Sequence, residues 1–227
     1  ESESDSPKIS GLICKNFSYH PSRTASNDSL KNYFDQNKVF GISDIDTRAL
    51  VTYIRENGAM NAIIASSDHP VDQSKQELKK KPGMSGLALA AEVSTKHIYK
   101  YNSNTNGKKI AVLDLGIKNN ILKKLSKLEV ELHVFPHNVS YDDILRIDPD
   151  ALFISNGPGD PEPLEEAIQL TKKAIDDDLP TFGICLGHQI IALAQDIPTF
   201  KMHHGHRGIN HPILNELSGK GEITSQN

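Results

Sequence analysis

The chain has 227 residues, of which 37% are hydrophobic and 24% charged, with a formal net charge of −4. That length suits two domains of ~100 residues each, and the acidic balance gives no electrostatic reason to expect nucleic acid or an anionic membrane as partner. The sequence has no apolar run of the ~18 residues that a membrane span requires, and its polar, acidic start ESESDSPK is the opposite of a secretory signal.

In chain order, KISGLICKNF (8–17) reads as a strand, β-branched at Ile9 and Ile13, which places Cys14 in a core. Ser26 to Asn37 has helical character, with Leu30, Tyr33 and Phe34 on one face. Residues 39–66 predict strand, helix and strand. Asp44 or Asp46 caps that helix, Leu50 and Ile54 supply its apolar stripe, and Asn57-Gly58 ends it. Asn61 to Ser66 then resumes an extended run. Asp44, Asp46 and Arg48 are read as capping groups and an Asp–Arg ion pair rather than as catalytic acids, with an inter-subunit contact as the second reading. Residues 68–85 predict a Lys-rich surface helix that ends before Pro82, leaving Lys79, Lys80 and Lys81 in solvent. YKYNSNTNGKK (99–109) lacks apolar periodicity and is the candidate linker.

From Lys109 onward strands and helices alternate. Strands are expected at 109–116, 130–136, over 150–160 where a strand runs into a glycine turn, and from Thr181, and helices at 118–128, 140–147 (opened by Ser140), 161–178 (with Pro161 in its first turn) and in the run ending at Gln195. Apolar strands separated by helices argue for a doubly wound, mostly parallel sheet.

Gly183-Ile184-Cys185-Leu186-Gly187 falls where a buried strand passes into a helix, the setting of a nucleophile elbow. The glycines let the chain bend sharply and thrust the central side chain outward. The thiol then sits at a helix N-terminus, where N–H groups and the macrodipole favour thiolate, and the N–H of Leu186 is positioned to stabilise an oxyanion. The plain alternative is a structural cysteine in an apolar strand. A second glycine turn, SNGPGDP (155–161), follows the preceding strand. Carboxyl ends of parallel strands point the same way, so this turn can lie beside Cys185 and add its own N–H groups; otherwise it is an ordinary βα loop. Without a Gly-Lys-Ser/Thr ending it is not a phosphate-binding loop.

FGICLGHQ (182–189) together with ISNGPGDP (154–161) resembles the class I glutamine amidotransferase family, over a region from about Lys109 to Asn227. GISDIDTRALVTYIRENGAMNAII (41–64) is similar to the N-terminal domain of carbamoyl phosphate synthetase small subunits, and DLGIKNNIL (114–122), KMHHGHRGINHP (201–212) and ITSQN (223–227) resemble that family's amidotransferase domain. The resemblance implies a small N-terminal α/β domain over 1–104 and an α/β amidotransferase domain, with a doubly wound and mostly parallel sheet, over 105–227. It implies that Cys185 attacks the side-chain amide of L-glutamine, releasing ammonia and leaving a glutamyl thioester for water to hydrolyse. Gly157, Gly159 and Leu186 would line the glutamine and oxyanion site through backbone groups, and Gln189 and Asn227 would contact the substrate. The implied partner is a large synthetase subunit, in a heterodimer or a higher assembly, holding ATP and a divalent metal and joining ammonia to bicarbonate for arginine and pyrimidine biosynthesis. The small subunit needs no cofactor and no metal, and a reducing cytoplasm is its expected compartment.

The family's catalytic His and Glu lie in a Gly-His-Pro-Glu-type segment that this sequence does not contain, and the early part of the N-terminal domain, with a serine that helps hold glutamine, is also absent. The chain is therefore expected to be incomplete at both ends, and a polypeptide of these 227 residues to be a very poor glutaminase for want of a base. The alternative from another class is a non-catalytic scaffold or regulatory subunit that keeps the fold without a complete triad. A different amidotransferase, which the 41–64 motif argues against, and an unrelated cysteine hydrolase are more distant alternatives. His203, His204, His206 and His211 lack the cysteine or acidic partners of a zinc site and are read as a polar loop. His188 is read as structural rather than as the base for Cys185.

Overall fold

The computed structural model describes residues 6–24, 26, 28–101 and 107–226. They form two compact units: Gly83–Lys201 is one, and the described residues up to Pro82 together with those from Met202 onward are the other.

The latter unit opens with β1 (Gly11–Ile13), α1 (Leu30–Asn37) and β2 (Phe40–Ile42), with the two strands paired in parallel. Ser29 caps α1 by accepting from the N–H of Asn32 at 3.1 Å. α1 buries Phe34, whose ring centroid lies 6.3 Å from that of Phe17. α2 (Thr47–Asn57) is capped by Asp46, which accepts from the N–H of Ala49 at 3.0 Å, and ends at Gly58. Leu50 and Ile54 are half-buried. Arg48 is absent from the ion pairs of the described residues, so the expected Asp–Arg pair does not form. Cys14 is half-buried rather than core. Residues 61–66, expected as a strand, lie in no strand ladder. α3 (Val71–Lys79) stops before Pro82 as its sequence requires.

The Gly83–Lys201 unit contains α4 (Ala90–Val93), β3 (Tyr99–Tyr101), β4 (Lys109–Asp114), α5 (Asn119–Leu125) with a 3-10 turn at Ser126–Leu128, β5 (Glu131–Pro136), α6 (Tyr141–Leu145), β6 (Ala151–Ile154), α7 (Glu165–Asp176), β7 (Thr181–Gly183) and α8 (Leu186–Ala194). Its sheet runs in the order β3-β5-β4-β6-β7, parallel throughout except for β3. Tyr99–Tyr101, expected in a linker, is thus an antiparallel edge strand; most of the Asn/Ser run, 102–106, lies outside the described residues. α7 begins at Glu165 rather than 161 because Asp160 and Pro161 first close a turn: Asp160 accepts from the N–H of Glu162 at 3.1 Å, and Pro161 from that of Leu164 at 3.1 Å.

Both sheet faces are covered, which is why the strands read as continuous apolar runs. Ala111, Leu113, Leu152 and Ile154 pack with Ile144, Leu170, Leu186 and Ile190, while Val112, Leu132, Val134 and Phe153 pack with Leu122. The chain leaves β4 for β5 on one side and returns to β6 on the other. The carboxyl ends of β4 and β6 therefore flank the switch point where doubly wound sheets bind ligands.

β8 (Gly208–Asn215) and β9 (Lys220–Gln226) form an antiparallel hairpin in the unit that also holds β1 and β2. Of the segment read as a polar loop, 208–211 with His211 is therefore strand, while His203, His204 and His206 precede it. Among the described residues, no helix is long and apolar enough to cross a membrane.

Candidate active site

Cys185 stands between β7 and the first residue of α8, with φ 54° and ψ −109°. Side chains other than glycine rarely take this conformation, and holding one there costs on the order of 1–3 kcal/mol. The bend sends the thiol outward: Cys185 is exposed, while Leu186, one residue on, is 1% exposed and buried in the core. The bend needs very small neighbours. A Cβ on Gly187 would fall 2.7 Å from the backbone carbon of Ile154, and one on Gly183 would fall 2.7 Å from the nitrogen of His188. The elbow is therefore pressed backbone to backbone onto β6.

That contact brings the glycine turn after β6 alongside. A Cβ on Gly157 would lie 2.8 Å from Cδ2 of Leu186, and one on Gly159 would lie 2.5 Å from the oxygen of Leu87. Among the described residues, the N–H groups of Gly157, Gly159 and Leu186 have no protein acceptor, whereas those of Ile184, Gly187 and Gln189 do. As the first residue of α8, Leu186 has no acceptor within the helix. The Gly157 backbone thus packs against the Leu186 side chain, and the Leu186 amide follows directly on the exposed Cys185. Amides placed this way can receive the charge that develops when sulfur adds to a carbonyl.

Of the other expected site residues, Gln189 is exposed one turn along α8, its N–H donating to the oxygen of Cys185 at 3.1 Å. Asn227 lies outside the described residues. His188 is exposed on α8. The imidazoles of His206 and His211 lie 4.4 Å apart, with those of His203 and His204 further along. Among the described residues, no group of three or more His, Cys, Asp or Glu is arranged to hold a metal.

The glycine turn is braced by polar residues to which sequence reasoning gave no role. Asp114, 5% exposed, accepts from the N–H groups of Gly116 and Ile117 at 2.8 Å each through one oxygen, and from that of Thr95 at 2.7 Å through the other. Fully buried Ser155 accepts from the N–H of Leu115 at 2.9 Å and donates to the oxygen of Asn156 at 2.8 Å. Asn156 donates to the oxygen of Gly116 at 3.1 Å. The signal was present: each residue ends an apolar strand or starts a glycine turn, where polar side chains typically satisfy loop backbone.

Comparison with known proteins gives two family matches. A family described as "Glutamine amidotransferase class-I" matches residues 111–227, and one described as "Carbamoyl-phosphate synthase small chain, CPSase domain" matches residues 1–64. Among individual relatives, the carbamoyl phosphate synthase small chain of Caldanaerobacter subterraneus is 44% identical over 225 residues, 99% of this chain and 60% of that protein. Those of Syntrophotalea carbinolica and Clostridium perfringens are each 40% identical, covering 99% of this chain and 63% of theirs. The chain thus spans about three fifths of the length of these relatives.

Proposed function

The chain belongs to the class-I glutamine amidotransferase family, and from that premise we propose that its protein is the glutamine-hydrolysing small subunit of a carbamoyl phosphate synthase, with Cys185 as nucleophile. The observation that carries this reading is an exposed thiol held in the strained elbow conformation, followed by the acceptor-free amide of Leu186, against whose side chain the Gly157 turn packs. The relatives' shared name and the match at 1–64 support the choice among amidotransferases.

In this reading the thiolate adds to the side-chain carbonyl carbon of L-glutamine. The C–S bond forms, and the carbonyl π pair moves onto oxygen, toward the N–H groups of Leu186 and Gly157. As the carbonyl re-forms, the C–N bond breaks and nitrogen leaves as ammonia after gaining a proton. Water then cleaves the thioester to glutamate, restoring the thiol. Gly159 would line the same pocket through its backbone, with Gln189 and Asn227 at the substrate's polar end. None of these steps calls for a cofactor or a metal.

The released ammonia is passed to a large partner subunit, in a heterodimer or an assembly built from it. ATP and a divalent metal act there, on bicarbonate, in the cytoplasm, where the thiol stays reduced. The product serves arginine and pyrimidine biosynthesis. Delivery between subunits suits the chemistry, because ammonia released to neutral water protonates and loses its nucleophilic pair.

The proton shuttle comes from a Gly-His-Pro-Glu-type segment, as the family resemblance implies, and these 227 residues include none. A polypeptide of this sequence should therefore react at Cys185 with a glutamine-like chloroketone yet release little ammonia from glutamine. Mass mapping of the labelled peptide and an ammonia assay check both halves. Label on Cys14 instead of Cys185 refutes the nucleophile, and sustained ammonia release refutes the account of the base.

A further inference from the structure

Asn156 carries one feature the proposed chemistry does not yet use. Its Nδ2 donates to the oxygen of Gly116 at 3.1 Å, while its Oδ1 is buried without a hydrogen-bond partner. Turning the amide over would set oxygen against the Gly116 oxygen, two acceptors face to face, so the hydrogen bond fixes the orientation. A buried acceptor left unmatched lowers stability rather than raising it. The fold therefore holds a polar side chain where an apolar one of the same shape would avoid that loss.

What this orientation achieves is visible in the neighbouring backbone. Gly116 has φ 120°, and a Cβ there would lie 3.1 Å from Cδ of Pro158 and 3.4 Å from Cα of Gly157. The turn after β4 and the turn after β6 are thus in direct backbone contact, and the Asn156 carboxamide latches one to the other. Asp114 and Ser155 stiffen the two sides of the latch. Gly157, the next residue, is thereby held at a set depth against Leu186.

We infer that Asn156 is a positioning residue for the thiol chemistry: by tying the turn after β6 to Gly116, it sets the Gly157 amide at the oxyanion position of Cys185. The inference rests on the proposed glutaminase reading and deepens it.

The test compares wild type with Asn156→Ala and the volume-conserving Asn156→Leu in the 227-residue polypeptide. Two thiol reagents are used: a glutamine-like chloroketone, whose ketone oxygen occupies the oxyanion position, and iodoacetamide, which lacks the amino-acid part. With the chloroketone, sulfur displaces chloride: the C–S bond forms, the C–Cl bond breaks, and chloride leaves with the bonding pair. The latch predicts that both variants lose about tenfold in the maximal chloroketone rate. The half-saturating concentration and the iodoacetamide rate should stay within about twofold. An unchanged maximal rate in the folded variants overturns the inference and leaves the nucleophile standing. An equal slowing with both reagents shows a merely structural role and overturns it too. A wild-type protein in which the chloroketone labels Cys14 and not Cys185 sinks the glutaminase reading itself. Should Asn156→Ala fail to melt cooperatively, Asn156→Leu decides, since it keeps the packing and removes only the polar latch.

Discussion

Cys185 is held where its own backbone resists. At φ 54° and ψ −109° the residue sits in a region that an L side chain enters at a cost of about 1–3 kcal/mol, and glycine with far less strain. The surrounding contacts over-determine this conformation: β6 is on one side through Gly187 and the close-packed Gly183 on the other. The same bend exposes the sulfur, so strain and reactivity share one cause. Cys185→Gly should therefore raise stability while destroying the chemistry. Relief of strain, less the extra freedom glycine gains in the unfolded chain, leaves about 1 kcal/mol of stabilisation, or roughly 2–4 °C in Tm. A thermal melt beside chloroketone labelling checks both halves; a melting temperature that falls would mean that the bend is unstrained.

At the scale of elements, what was legible in the sequence depended on whether the signal was local. β4, β5, β6 and α8 announce themselves by apolar runs and glycine breaks, and the elbow by glycines at 183 and 187. Ser140 was readable as a cap, and Asp46 as one of two candidates with Asp44, because a cap acts within its own turn. β3 was not readable: a three-residue edge strand is made by its partner, here β5, and beside the Asn/Ser run it resembles a linker. Likewise the bracing roles of Asp114, Ser155 and Asn156 need the β4–β6 register, a fact about pairing across some 40 residues of chain. β3 is fixed partly by charge. Lys100 donates to Glu131 at 2.8 Å diagonally across the β3–β5 pair, and His133 on the same face of β5 also contacts that carboxylate. The Lys100 hydrogen bond, then that of His133, hold the Glu131 carboxyl below its ordinary value of 4.5, against desolvation. A depressed folded-state pKa contributes stability above the unfolded value and loses it as pH falls through the folded one. Glu131→Gln should accordingly lower Tm at pH 7, with the gap to wild type closing below about pH 4.5. Melts of both proteins across pH 2–7 test this, and a gap that persists at pH 2 would show that the charge on Glu131 is not what holds β3.

At the scale of the whole molecule, sequence similarity and packing mark different starts for the sheet-bearing unit. The amidotransferase family match begins at residue 111, but the compact unit begins at Gly83. The extra residues are built into the carboxyl edge of the sheet. Ala90 is fully buried in the main core, the N–H of Thr95 satisfies Asp114, Ser94 accepts from the N–H of His137 at 2.9 Å, and Leu87 accepts from that of Asp160 at 3.0 Å. Val93 closes over Gly116, with Cγ2 2.9 Å from where a Cβ would stand. β3 also covers the edge of β5, which would otherwise expose a row of unpaired backbone groups inviting aggregation. A polypeptide of residues 83–201 should therefore be monomeric and unfold cooperatively. One of residues 108–201, although it retains all of the family match within that unit, should melt more than about 10 °C lower and self-associate. Its Asp114 carboxylate would lose a backbone donor, the turn at 115–117 would loosen, and with it the seat of Gly157. Chloroketone labelling of Cys185 should slow in the shorter piece even below its melting temperature. Size-exclusion elution and labelling rates of the two polypeptides decide the matter, and equal behaviour would mean that the 83–107 segment is passenger rather than part of the site's foundation.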